Sequence, residues 1–186
     1  MRSPLNGRGL SFLACSLVLM AGGLVEAAIG SPSGSAVLVS ARATAGLNIE
    51  GKTNELGLTE RDGDLVFQLP LAGLDTGIGL RNRHMREQLD VAHFPQAELH
   101  VPRKAITFPP PGGPVDSETQ GTLTLHGVSK PCSIHYRVEQ ARPGEYRVHG
   151  TIRIDIRDFG IAPASYLGVA VDPSVGIQVD FSAHDS

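Results

Sequence analysis

Two-residue alternation of apolar and polar side chains runs through most of this chain. Successive side chains on a strand point to opposite faces, so the pattern is that of half-buried β-strands. In "DLVFQLP", Leu65, Phe67 and Leu69 share one phase against Val66 and Gln68. In "AELHV", Leu99 and Val101 oppose Glu98 and His100. "GTLTLHG" sets Leu123 and Leu125 against Thr122, Thr124 and His126. "CSIHYRVE" sets Cys132, Ile134, Tyr136 and Val138 against Ser133, His135, Arg137 and Glu139. "YRVHGTIRIDI" gives Val148, Ile152, Ile154 and Ile156 one face, and "VGIQVDF" does the same for Val175, Ile177, Val179 and Phe181. "GLNIEGK" adds Leu47 and Ile49.

Counting "AVLVSA" and "NELGLTE", about eight or nine strands are expected. Turn signals separate them in "RDGD", "PPPGGP", "HGVSKP" and "ARPGE". One dry and one wet face per strand is the antiparallel pattern, and strands this many and regular fold as a sandwich or a barrel. A closed barrel turns every dry face inward. About eight strands leave room for side chains or for one small ligand. The fillers are mostly Leu, Ile and Val, with no Trp. Gly121 and Gly150 fall inside strands. The expected reason is bulges that curve the sheet, with a close approach or a ligand as the alternative.

The first residues stand apart. Arg2 and Arg8 precede an apolar run, Leu10 to Met20, and a small-x-small site at Val25 and Ala27. This reads as a secretory signal peptide, residues 1–27, cleaved near Ala27. The run is shorter than the ~20 apolar residues of a spanning helix. Residues 28–36 then form a flexible leader, and 37–186 one domain. The expected location is periplasmic or secreted. Removing Arg2, Arg8 and Glu26 takes 16 basic and 19 acidic residues to 14 and 18, a net charge of −4. Nucleic acid is not an expected partner, since that calls for a basic face. Cys15 leaves with the signal peptide, so Cys132 has no partner within the chain. It follows Pro131 on an apolar phase, which predicts a buried, inert thiol.

One segment breaks the alternation. "LDTGIGLRNRHMREQLDVAHFPQAELHV" packs Arg81, Arg83, His84 and Arg86 into six residues. Ile78, Met85 and Leu89 lie close to one helical face, which predicts a short helix over 78–89 closing or flanking one end of the barrel. Its arginines are either a solvated face or a contact for an anionic or carbonyl headgroup, for which the guanidinium fork is suited. Catalytic arrangements are not apparent. There is no G-x-S-x-G elbow and no H-x-x-x-H or C-x-x-C pair. His100, His126, His135 and His149 fall on wet phases and read as solvated. Glu60, Asp62 and Asp64 read as a hydrophilic hairpin turn. No catalytic residue, metal or cofactor is expected.

The joint pattern resembles the YceI-like family of exported bacterial lipid-binding proteins. The resemblance is carried by the Asp75-Thr76-Gly77 turn and the basic helix with Arg81, His84, Met85 and Arg86. It continues through Asp90, Val91, Phe94 and Pro95, and through Leu125, Gly127, Val128, Ser129, Lys130 and Pro131. It extends from about Val37 to Phe181. It implies a lipocalin-like, extended antiparallel barrel that holds a long isoprenoid-type or other amphiphilic lipid. The residues expected to line such a hollow are Phe67, Leu99, Leu123, Leu125, Ile134, Tyr136, Val148, Ile152, Ile177, Val179 and Phe181. Arg81, His84 and Arg86 are the expected headgroup contacts, and transient contact with a membrane fits this picture. Two other classes stay open: a barrel enzyme acting on a lipid or quinone, and an interaction protein with a filled core.

Overall fold

The structure, a computed structural model, describes residues 30, 32–110, 113–166 and 169–184. The expected signal peptide lies outside the described residues. The chain is almost wholly β: β1 (Ser33–Ala43), β2 (Asn48–Thr53), β3 (Gly57–Arg61), β4 (Asp64–Pro70), β5 (Gln96–Pro102), β6 (Val115–Leu125), β7 (Val128–Arg142), β8 (Glu145–Asp155), β9 (Ser165–Tyr166) and β10 (Val169–His184). One α-helix, α1 (Gly79–Gln88), sits between β4 and β5. β1 starts inside the stretch read as a flexible leader, with Ser33 opposite Ser182.

All strands pair antiparallel in a single curled sheet of order β2-β1-β10-β8-β7-β6-β5-β4-β3, with short β9 beside β10. The two ends of that order, β2 and β3, are neighbours in the chain. Counting alternations round the ladders, they also run in the same direction. Residues 54–56 therefore join two halves of one interrupted strand, which leaves β1's ladder and takes up β4's. Nine ladder strands thus act as eight staves, against the eight or nine strands that the alternation predicts. Beside β2, the chain following β4 completes the wall. Lys52 N–H donates to the Asp75 carbonyl at 2.8 Å, and Asp75 N–H to that of Lys52 at 2.9 Å.

Two turns fix register at the barrel's ends. Asp62-Gly63 and His126-Gly127 are two-residue hairpin loops with both φ values positive (54° and 81°, 52° and 73°). That conformation matches the strand twist and favours Asn or Asp before Gly. His126 is therefore a turn residue, not a solvated strand residue. Its ring packs on Phe94 at 4.7 Å and its Nδ1 lies 3.3 Å from the Phe159 carbonyl.

The expected bulges at Gly121 and Gly150 are absent. Register runs unbroken through both, from Gln120 opposite Ser133 to Thr122 opposite Pro131, and through Gly150 opposite Tyr136 and Val179. A Cβ on Gly121 would meet Ile134 Cδ1 at 2.8 Å and the His100 carbonyl at 2.9 Å, so close packing is the reason for that glycine. Curvature needs no glycine kink here.

The helix falls where expected, with two amendments. Met85 and Leu89 pack on the core, but Ile78 is 49% exposed and Leu80 58%. Ile78 precedes the helix with extended backbone (φ −130°), so helical spacing does not carry it onto the buried face. The Asp75-Thr76-Gly77 turn secures the start of α1. Asn82 Nδ2 and Gly77 N–H donate to Asp75 Oδ1 at 2.7 and 2.8 Å, while Thr76 N–H donates to Asn82 Oδ1 at 2.8 Å.

The barrel interior has two parts. Toward α1 it is solid, with Leu71, Leu74, Leu125, Ile154, Phe159, Ile161 and Val175 in one buried cluster. A smaller cluster of Leu58, Leu65, Phe181 and Ala183 lies toward the opposite end. Cys132 is buried, as expected, and burial pushes its thiol pKa up.

Two outcomes follow. Gly127→Ala combines a left-handed φ with a Cβ 2.6 Å from Phe94 Cε1. It should cost about 3 kcal/mol in chemical denaturation, the sum of backbone and overpacking effects. At Asp75, the hydrogen bonds from Asn82 and then Gly77 hold the carboxyl below its ordinary range. Its support for α1 is complete above the unfolded-chain carboxylate pKa and fades as pH falls through the lowered value. Hydrogen exchange, corrected for intrinsic rate, should show α1 loosening in acid in the native protein and already loose at neutral pH in Asp75→Ala.

Candidate functional site

Inward-facing residues of the wall formed by β6, β7, β8, β10 and β1 stack in cross-strand rows. Nearest the end away from α1, Val138, Val148 and Phe181 are in register. The next row is Tyr136, Gly150, Val179 and Val37. A third is Thr119, Ile134, Ile152 and Ile177. The fourth includes Ile154 and Val175 in register, with Gly121 and Cys132 in register at the same level. On the facing wall Leu65 pairs with Val101, Phe67 with Leu99 and Leu69 with Ala97.

These rows enclose a hollow of about 150 Å³, to which β1, β3–β8 and β10 all contribute side chains. The first three rows line it and the fourth does not, so the solid cluster around Ile154 and Val175 forms a floor. On β10 the lining runs from Ile177 to His184, seven residue steps or about 24 Å of strand. The lining is almost all carbon. Its polar side chains are few: Thr119, Tyr146 and His184 near the opening, and Tyr136, whose hydroxyl accepts the Thr107 N–H at 2.8 Å. Such a site gains by removing apolar surface from water; it offers little for acid–base work. Among the described residues, the titratable groups with clear shifts are Asp75, Cys132, Asp155 and Arg157, and none lines the hollow.

The opening carries an aromatic rim. Phe108, 37% exposed, meets Tyr146 edge to face at 5.7 Å. The Arg103 guanidinium lies 5.7 Å from the Phe108 ring and donates to Glu60 Oε2 at 2.8 Å. Thr107, next to Phe108, is tied to Tyr136 inside the barrel. Residues 106–108, after β5, are thus pinned at the opening.

Ten of the eleven residues expected to line a hollow do so: Phe67, Leu99, Leu123, Ile134, Tyr136, Val148, Ile152, Ile177, Val179 and Phe181. Leu125 lies one alternation beyond Leu123, in the packed cluster. Arg81, His84 and Arg86 line no part of the hollow. They belong to α1, whose Met85 packs on the solid cluster, and Arg86 donates to the Ala72 carbonyl at 2.9 Å. Sequence reasoning missed Leu65, Leu69, Val101 and Val138, which share the phase of chosen residues, so the alternation already pointed to them. It also missed Leu56, Ile106 and Phe108, which sit outside the strands. For Phe108 the available signal was an aromatic placed in a proline-rich loop.

Comparison with known proteins agrees with this geometry. A polyisoprenoid-binding domain from Saccharophagus degradans superposes with a TM-score of 0.71 at 17% identity, covering 86% of this chain and 99% of that one. BcnA of Burkholderia cenocepacia superposes at 0.58 with 18% identity, over 78% of this chain and 95% of that one. These likenesses are of fold. UPF0312 proteins of Pseudomonas savastanoi pv. phaseolicola and Pseudomonas syringae pv. syringae are 35% identical over 101 residues, 50% of this chain. The match spans about half the length of those relatives, 50%. The YceI-like domain matches residues 30–183, nearly the whole barrel, and the chain belongs to the YceI-like family.

Proposed function

We propose that this protein binds an amphiphilic, isoprenoid-like lipid, with the tail in the hollow and the polar end at the rim of Phe108, Tyr146 and His184. The observation that carries the reading is the carbon-lined hollow, with a packed cluster beneath it and the Phe108–Tyr146 pair at its rim. Burial supplies the affinity, since each CH₂ leaving water contributes about 0.8 kcal/mol. Few polar contacts are then needed. The polyisoprenoid-binding neighbour supports the choice of tail.

Size refines the picture. An apolar cavity of about 150 Å³ stays dry and takes a guest about as large as benzene. A long tail must therefore thread in and displace side chains as it goes. Phe67 and Phe181, edge to face at 5.8 Å, stand across its path. In this reading the arginines of α1 belong to the solvated surface, because the floor separates them from the tail. An enzyme acting on a lipid would be expected to place shifted titratable groups in the hollow. A filled interaction module would need no hollow. Neither is favoured by what lines the barrel. Export through the N-terminal segment, followed by sequestration or transport of the lipid outside the cytoplasm, completes the proposal. No helix among the described residues is long and apolar enough to cross a membrane.

Two measurements test it. Farnesol at a hundredfold excess over its dissociation constant should stabilise the fold by about 2.7 kcal/mol. An unchanged unfolding midpoint across the soluble range of farnesol would argue against a lipid site. Replacing Arg81, Arg83 and Arg86 by Gln should leave retention of a prenyl-phosphate probe unchanged. Lost retention would return the headgroup to α1.

A further inference from the structure

Gly150 is the one member of its inward row without a side chain, between Tyr136 on β7 and Val179 on β10. Nothing in the backbone demands glycine there. The residue is buried, the register is unbroken on both sides, and its φ is not in the left-handed region. Nor is it crowded as Gly121 is. A Cβ built on Gly150 meets only Val179 Cγ2, at 3.0 Å, and no other atom within 4 Å. A side chain at this position would project into the hollow rather than into the wall.

Its level in the barrel gives this gap a consequence. The row toward the opening holds Val148 and the row toward the floor holds Ile152, each two residues away on β8. That is about 7 Å along the strand in either direction. A tail reaching the floor must pass Gly150, whereas a tail ending near Val148 does not. Below Ile152 the next inward residue of β8, Ile154, is packed in the solid cluster and does not line the hollow. The hollow therefore has a fixed bottom and, at half depth, a width set by a missing side chain.

We infer that Gly150 is a specificity-determining residue: it holds the hollow open at mid-depth, so that the deeper half, down to the row of Ile134, Ile152 and Ile177, takes the distal part of a long tail. The inference rests on the lipid reading of the hollow and goes beyond it, because it names which tails are accepted and why. Leucine at 150 would fill the passage and divide the hollow into a shallow upper part and an unreachable lower one. Short tails would keep their contacts. Longer ones would lose the deep contacts in proportion to the carbon excluded, and losing two methylenes already amounts to about tenfold in affinity.

The test uses the full barrel and the uncharged prenyl alcohols geraniol, farnesol and geranylgeraniol, each titrated by displacement of a fluorescent apolar probe. In the native protein, affinity should rise along the series. In Gly150→Leu, geraniol should bind as before while geranylgeraniol weakens by about tenfold or more. An equal change for all three alcohols, or none for any, overturns the assignment while leaving the lipid site standing. A native protein that binds none of them overturns both. Far-UV circular dichroism checks folding. If Gly150→Leu does not fold, Gly150→Ala serves, since its Cβ needs only Val179 Cγ2 to turn aside. The same dependence on tail length is then expected at smaller size, and its absence counts equally against the assignment.

Discussion

A slip of β8 by one residue against β7 and β10 would turn Val148, Ile152 and Ile154 out to water and bring Arg147, Arg153 and Asp155 inside. Side-chain direction repeats every two residues, so there is no intermediate arrangement. Everything else in this molecule depends on that register being held. The rows that build the hollow, the floor beneath it and the gap at Gly150 exist only because Ile134, Ile152 and Ile177 lie side by side across three strands. The register is secured locally by the tight turn at Pro143-Gly144, which joins β7 to β8 with Gly144 at a φ of 76°, and by the long ladders of β7, β8 and β10. Burial of one face and hydration of the other then act together along each strand.

The same inward phase serves two purposes at two levels. Toward α1 the residues meet in the middle, helped by Leu71, Leu74, Phe159 and Ile161 from segments outside the main ladders. Toward the opposite end such segments contribute Leu56, Ile106 and Phe108, which line the space without filling it, and the side chains of facing walls leave a hollow between them. The division between solid and hollow is thus made by connecting segments, while the strands are alike throughout. It also explains why the basic segment, so prominent in the sequence, lies far in role from the hollow. Its turn at Asp75 completes the wall and its Met85 and Leu89 thicken the packed end.

Much of this was legible in the sequence. Period-two alternation identified the strands and ten residues of the lining, because phase alone decides which side of a curled sheet a residue faces. The turn at Asp62-Gly63 was legible because Asp and Gly accept positive φ, whereas "HGVSKP" signalled a turn but His126, which also takes positive φ, was read as part of the strand. What phase does not encode is height along the barrel axis. Leu123 and Leu125 are identical in pattern, yet one borders the hollow and the other the packed core. Ile78 was misplaced because its spacing fits a helix that begins one residue later. Phe108 was overlooked because loop residues carry no period. Gly121 and Gly150 look alike in sequence, and only the neighbours of a hypothetical Cβ separate a clash with backbone and two side chains from a contact with one side-chain methyl.

The interrupted stave formed by β2 and β3 leaves the wall unevenly fastened. Long ladders join its other neighbours, but alongside β2 the circuit is completed by the pair of hydrogen bonds between Lys52 and Asp75. A hoop yields at its thinnest joint. Any swelling of girth as a guest displaces the phenylalanines would concentrate along this line, where parting costs two hydrogen bonds instead of a ladder, and the remaining staves could keep their register while the barrel breathes.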